Sequence, residues 1–143
     1  MIILDTSGLL AALDRSQRHH SAAAAALREA GGPRLLSPFV LAELDYLLST
    51  RVSTRVARAW LAEAASGAYQ LEPFSTVDIL TAGAILDRYP DLGLGLVDAS
   101  LVVLAERHGC SDLLTLDERH FRAVAGPGGR PFRLLPGTSS RGR

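Results

Sequence analysis

Short runs of apolar residues alternate along the chain with longer segments in which apolar residues recur three and four positions apart. The short runs predict strands at MIIL, RLLS, AYQLEPF, DLLTL and FRLL. The longer segments predict helices at SGLLAALDR, HHSAAAAALREAGG, PFVLAELDYLLST, TRVARAWLAEAAS, TVDILTAGAILDRY, LVDASLVVLAERHG and the short turn ERHF. Because strands and helices alternate and the strands are continuously apolar, we expect an α/β domain with a mostly parallel sheet that helices cover on both faces.

Residues that cap helices support several of these boundaries. Ser37 followed by Pro38 predicts a helix start, and Ser53 predicts the next one. The length of 143 residues suits one domain with one core. We therefore expect a single domain over residues 1–135, followed by a disordered tail over residues 136–143, PGTSSRGR.

The composition narrows the cellular setting and the chemistry. The net charge is zero, so the whole chain has no general attraction to nucleic acid, although a local basic surface can exist. All 15 basic residues are arginine and there is no lysine. Cys110 is the only cysteine, which excludes an internal disulfide and a cysteine-rich zinc site. With no signal peptide and no membrane-spanning run, a cytoplasmic protein is expected.

Two acidic residues follow directly on predicted strands. Asp5 comes after the first strand and Asp117 after the fourth. In open α/β sheets ligands bind outside the carboxyl ends of the strands, so both carboxylates are expected at the functional edge. Each has a structural alternative, because Asp5 can cap the helix that begins near Ser7 and Asp117 can cap the turn ERHF.

Two further acids lie on predicted helices. Glu43 has Phe39, Val40, Tyr46 and Leu47 as its neighbours three and four positions away, so it is expected on a core-facing stripe. Asp98 begins a strongly apolar helix, where it either caps the helix or presents a fixed carboxylate at its N-terminus.

Four carboxylates that converge on one edge repel one another unless a cation binds between them. An all-oxygen set without cysteine, and with no histidine expected beside it, favours Mg²⁺ or Mn²⁺ over Zn²⁺. Such a site suits phosphate chemistry. The absence of lysine and of the corresponding motifs removes haloacid-dehalogenase phosphatases, receiver domains and P-loop enzymes. Metal-dependent hydrolysis remains, with a metal-activated water attacking the phosphorus in line.

Four stretches then carry a resemblance that covers the chain to about residue 135. They are ILDTSGLLA, SPFVLAELDYLL, LVDASLVVLAERHG and LLTLDERHF. In this order and spacing they resemble the PIN-domain ribonucleases, and more narrowly the VapC toxins of bacterial toxin–antitoxin pairs. The resemblance implies a three-layer domain with a five-stranded parallel sheet of order 3-2-1-4-5. It also implies an endoribonuclease toxin that cuts transfer RNA or ribosomal RNA, is dimeric, and is neutralised by a VapB-type antitoxin.

The resemblance assigns roles to individual residues. Asp5 and Asp98 are the direct metal ligands, while Glu43 and Asp117 complete the catalytic site directly or through water. Thr6, Ser7 and Thr115 match polar positions beside the acids. Two alternatives remain: a PIN-like module that binds RNA or protein without cutting it, and a metal-dependent phosphatase of small phosphates.

A neutral protein needs a local basic surface to hold RNA. The candidates are Arg15, Arg18, Arg51, Arg55, Arg119 and Arg122, with Arg58 in helical register with Arg51 and Arg55 if one helix spans them. Arg141 and Arg143 can add contacts from the tail. His120 is expected to be structural, and Trp60 to lie in the core or an interface.

Overall fold

The sheet consists of five parallel strands. The computed structural model describes residues 1–137, with strands β1 (Ile2–Leu4), β2 (Arg34–Leu36), β3 (Gln70–Leu71), β4 (Asp112–Leu114) and β5 (Arg133–Leu135). They lie in the order β3-β2-β1-β4-β5, and every neighbouring pair is parallel. The predicted α/β class and the order 3-2-1-4-5 are both confirmed.

Helices cover both faces of this sheet. They are α1 (Thr6–Leu13), α2 (His20–Glu29), α3 (Pro38–Arg51), α4 (Thr54–Ala65), α5 (Thr76–Arg88), α6 (Leu96–His108) and α7 (Glu118–Ala123). Successive residues of a strand point to opposite faces. All three residues of β1 are fully buried, so neither face of the central strand reaches solvent. The continuous apolar runs therefore indicated a doubly covered sheet correctly, and the domain has three layers.

The third strand is much shorter than its apolar run. The run AYQLEPF predicted seven residues of strand, whereas β3 contains only Gln70 and Leu71. Pro73 has no N–H group to continue a ladder, and β3 lies at the edge of the sheet, where it pairs only with β2. The chain turns away at this point, and Ser75 caps the start of α5 by forming a reciprocal capping box with Asp78.

The segment between α3 and α4 breaks the helix. Ser53 accepts a hydrogen bond from the backbone N–H of Val56 at 3.1 Å, so it caps α4 as predicted. Arg51 ends α3 whereas Arg55 belongs to α4, so a single helix does not carry them. Trp60 of α4 is 3% exposed and donates its indole N–H to the Leu41 carbonyl at 3.3 Å, which places it in the core.

The C-terminal strand closes the domain. Phe132, just before β5, packs edge-to-face on Phe121 of α7 with ring centroids 5.9 Å apart. Of the tail predicted over residues 136–143, residues 138–143 lie outside the described part of the chain, and Arg141 and Arg143 with them. Within residues 1–137, none of the helices has the length and apolar character needed to cross a membrane.

Candidate active site

The chain reverses its direction of travel across the sheet between β1 and β4, which is where open α/β sheets bind ligands. Asp5 follows β1 and Thr115 follows β4. The backbone N–H of Asp5 donates to the Leu114 carbonyl at 3.0 Å, which continues the pairing of the two strands past their ends. The first predicted acid is thus fixed at the carboxyl edge of the sheet by backbone hydrogen bonds.

The Asp5 carboxylate is almost completely enclosed, with the residue only 5% exposed. One oxygen accepts the backbone N–H of Thr6 at 2.8 Å, which caps α1. The other accepts the Thr115 hydroxyl at 2.6 Å and the Ser7 hydroxyl at 3.2 Å. Burial, with a further contribution from the Asp98 charge, raises the pKa of Asp5 to about 6 despite these donors. Capping and placement in the site are therefore not alternatives for this residue.

A glycine lets the first helix approach the end of β4. A Cβ atom at Gly8 would lie 2.4 Å from the Leu114 carbonyl oxygen, closer than any side chain permits. This approach brings the Ser7 hydroxyl within 3.3 Å of the Thr115 hydroxyl and 3.0 Å of the Leu116 backbone N–H. The predicted polar residues Ser7 and Thr115 thus hold the Asp5 carboxylate, while the buried hydroxyl of Thr6 has no hydrogen-bond partner among residues 1–137.

Asp98 occupies the third position of α6, and the cap itself is Gly95. Its carboxylate accepts the Gly95 backbone N–H at 3.1 Å. Asp98 therefore lies three residues after the N-cap, rather than at the N-cap position considered for it from the sequence. Burial raises the pKa of Asp98, and the nearby charges of Asp117 and Glu43 raise it further, while the Gly95 N–H and His120 oppose them. The helix N-terminus therefore presents a carboxylate to other acids.

Asp117 caps α7 and forms two hydrogen bonds with His120. Asp117 accepts the His120 backbone N–H at 3.2 Å with one oxygen and the His120 Nδ1–H at 2.6 Å with the other. Its own backbone N–H donates to the Thr115 hydroxyl at 2.9 Å, so Thr115 connects Asp117 to Asp5.

Three of these groups come within reach of one ion. One ligand atom each from Asp98, Asp117 and His120 lies within 4.8 Å of the others. The expectation that no histidine stands beside the acids was wrong. A signal was available in the sequence, because Asp117 and His120 are three positions apart at a helix start, where such residues share a face.

Contrary to what its apolar neighbours on α3 had suggested, Glu43 does not face the core. The buried residues of α3 are Val40, Leu44 and Leu48, so the core-facing stripe runs past Glu43, which is exposed. The predicted core position was wrong because α3 is apolar almost all round. Glu43 is nevertheless close enough for its charge to raise the pKa of Asp98, so it lies near the acidic group.

Comparison with known proteins identifies the family. A family model described as "PIN domain" matches residues 2–127. The chain is 40% identical over 135 residues to Ribonuclease VapC26 of Mycobacterium tuberculosis, and the match covers 94% of this chain and 100% of the relative. The chain belongs to the PIN-domain ribonucleases, among the VapC toxins. Its assignment as an endoribonuclease follows from this membership.

Solved structures of VapC proteins share the fold. The crystal structure of Mycobacterium tuberculosis VapC20, described as a sarcin–ricin loop cleaving toxin, matches with a TM-score of 0.78 at 24% identity, over 82% of this chain and 91% of that one. VapBC2 from Rickettsia felis, bound to a DNA fragment from its promoter, matches with a TM-score of 0.66 at 18% identity, over 94% and 98%. At these identities the likeness shows the PIN architecture alone.

The donor set of this PIN domain fits a divalent cation. Within residues 1–137, neither Asp5 nor Asp98 has an arginine or histidine nitrogen within 4.0 Å of its carboxylate. Buried carboxylates without a cationic partner carry a large cost that a bound cation removes. The oxygen-rich set suits a hard divalent metal ion.

The predicted RNA-binding arginines of this VapC-type chain are scattered over four segments. Arg15 and Arg18 lie between α1 and α2, and Arg51 and Arg55 flank the break between α3 and α4. Arg119 and Arg122 belong to α7, the helix that Asp117 caps, so among these arginines they are the two on an element that begins at the acidic site. Arg122 also pairs with Glu118 at 3.2 Å.

Proposed function

We propose that this VapC-type ribonuclease hydrolyses structured RNA with Mg²⁺ or Mn²⁺ in the acidic site, leaving a 3′-hydroxyl and a 5′-phosphate. One observation carries the proposal: the Asp5 carboxylate is buried with a raised pKa beside Asp98 and has no cationic partner in residues 1–137. An acid that is costly to ionise at the functional edge of a sheet is explained by a cation that it binds.

The proposed roles follow from these positions. A divalent cation in the site supplies activation of water and neutralisation of phosphate charge. Asp5 and Asp98 hold the cation, and the Ser7 and Thr115 hydroxyls fix the orientation of the Asp5 carboxylate. Asp117 completes the site. Glu43, which is exposed near Asp98, accepts a hydrogen bond from the attacking water and aligns it with the phosphorus.

The proposed substrate is a folded loop in ribosomal RNA or transfer RNA. VapC20, which shares the fold, is described as cleaving the sarcin–ricin loop, and this supports ribosomal RNA as one target. A chain of zero net charge attracts RNA only through local groups. Arg119 and Arg122 on α7 are proposed to contact phosphates next to the scissile bond, with the other arginines supplying outer contacts.

The proposed partner is a VapB-type antitoxin that neutralises the toxin in the cytoplasm. The match to a VapBC complex supports this, since VapBC2 is a toxin and antitoxin together on promoter DNA. We also propose that the chain forms a homodimer, and that residues 1–135 fold as one unit. Exposed apolar side chains on α5, at Val77, Ile79 and Leu80, leave surface for such association.

Cleavage of total bacterial RNA by purified protein free of antitoxin tests the proposal. The reactions contain Mg²⁺ or EDTA, and the cut ends are mapped. Discrete cuts are expected with Mg²⁺, and none with EDTA or with Asp98→Asn. Asp87→Asn, which changes an exposed acid on α5, is the matched control and should cut like the wild type.

Two results would count against parts of the proposal. Cleavage retained in Asp98→Asn would remove Asp98 from the mechanism. No cleavage by folded wild-type protein would favour the alternative, a module that binds RNA or protein without cutting it. Release of inorganic phosphate from small phosphate monoesters, without RNA cleavage, would instead favour a phosphatase.

A further inference from the structure

His120 lies where a metal ligand is needed. One of its two ring nitrogens and one oxygen each from Asp98 and Asp117 are mutually within 4.8 Å, and residues 1–137 contain no other set of three such groups. The Asp98 carboxylate therefore lies close enough to the His120 ring for the two side chains to reach a common cation.

The hydrogen bonds decide which ring nitrogen is available. A carboxylate can only accept, so the 2.6 Å contact between Nδ1 of His120 and Asp117 requires the proton on Nδ1. In the neutral ring Nε2 then keeps its lone pair. Both oxygens of Asp117 are engaged by His120, one by the ring and one by the backbone N–H. A carboxylate that fixes the tautomer and orientation of an imidazole is the usual support of a metal-binding histidine.

We propose that His120 binds the active-site cation through Nε2, and that Asp117 orients the His120 ring as well as contributing charge. The inference rests on the cation site of the proposed function. It changes the ligand set from four carboxylates to a mixed set of oxygen and nitrogen. Mn²⁺ accepts an imidazole ligand more readily than Mg²⁺ does, so Mn²⁺ binding should depend on the His120 ring more than Mg²⁺ binding does.

The test uses Mn²⁺ alone as the probe and needs no RNA. Titration calorimetry measures the affinities for Mn²⁺ and Mg²⁺, and pulsed electron paramagnetic resonance on the Mn²⁺-loaded protein detects coupling to a ligand ¹⁴N nucleus. His120→Asn keeps an amide N–H where Nδ1 was, so the bond to Asp117 survives while Nε2 is removed. His19→Asn is the control, because His19 is exposed before α2.

The wild type and His19→Asn should show the nitrogen coupling, and His120→Asn should lose it. We expect the Mn²⁺ affinity of His120→Asn to fall by about 10-fold or more, and its Mg²⁺ affinity to fall by less. Bound Mn²⁺ without nitrogen coupling in the wild type would overturn the inference and leave the proposed function intact. Failure of the wild type to bind either metal would overturn both.

Discussion

Neutralising the buried acid at the end of β1 is predicted to stabilise the metal-free protein. Asp5→Asn keeps the shape of the side chain and an oxygen that can accept the Thr6 N–H. Its amide can donate to the Thr115 and Ser7 hydroxyls, which now donate to the carboxylate. The substitution therefore removes the charge while most of the hydrogen-bonding positions stay occupied.

The pKa of Asp5 gives the magnitude. Burial raises this pKa most, and the negative charge of Asp98 raises it further, from 3.8 to about 6. A difference of about two pKa units corresponds to about 3 kcal/mol for ionising this carboxylate in the folded state at neutral pH. The native protein binds more protons than the unfolded chain between these values, so the free energy of unfolding falls as the pH rises from about 4 to about 6.

Urea denaturation in EDTA at pH 7.5 and at pH 4 measures the effect. Asp5→Asn should unfold with a free energy about 2–3 kcal/mol higher than the wild type at pH 7.5, and with little difference at pH 4. Asp14→Asn is the control of opposite sign, since hydrogen bonds from Ser16 lower the pKa of Asp14 and its charged form is favoured. Equal or lower stability of Asp5→Asn at pH 7.5 would refute the reasoning.

Three substitutions outside the acidic group have predictable effects on stability, each measured by urea denaturation. Gly8→Ala should destabilise by about 1–3 kcal/mol, although alanine is the better helix former, because its Cβ would overlap the Leu114 carbonyl. Glu72→Ala should cost about 1–3 kcal/mol, because this 5% exposed carboxylate accepts hydrogen bonds from Arg107 at 3.2 Å and Gln70 at 2.9 Å. Phe121→Ala should cost about 3–5 kcal/mol through a cavity in the core.

Specific results would contradict each of these predictions. A stabilised Gly8→Ala protein would mean that α1 can move away from β4. A cost for Glu72→Ala no larger than that of Arg58→Ala, which removes an exposed partner 3.9 Å from Asp45, would show that the Glu72 pair adds nothing. An intact stability in Phe121→Ala would show that α7 is not anchored through this ring.

The location of Asp5 and Asp117 was predictable because each follows a strand of a parallel sheet in the sequence. Parallel strands all end at one edge, so Asp5 and Asp117 had to meet there once the sheet was recognised. Capping did not compete with this role, since a helix that starts at the same edge is capped by the same residue. The strongly apolar helix that begins near Asp98 predicted this residue at a helix N-terminus, but the sequence did not decide which position of the first turn it occupies.

The direction in which α3 faces was not predictable. Its sequence offers apolar residues on nearly every side, so periodicity could not decide whether Glu43 or its neighbours met the core. The packing chose Val40, Leu44 and Leu48, and it left Glu43 exposed beside Asp98. The shared face for Arg51 and Arg55 failed for a local reason, because the Ser53 cap starts a new helix.

By itself the sequence determined the order of the elements, the parallel sheet and the four acids, because these depend on local apolar runs, caps and chain order. Tertiary structure decided what each carboxylate experiences. The burial of Asp5 and the close approach of α1 to β4 at Gly8 both arise between segments that are distant in sequence. Desolvation and hydrogen bonding depend on three-dimensional neighbours, and these two effects set the pKa of each carboxylate in the proposed metal site.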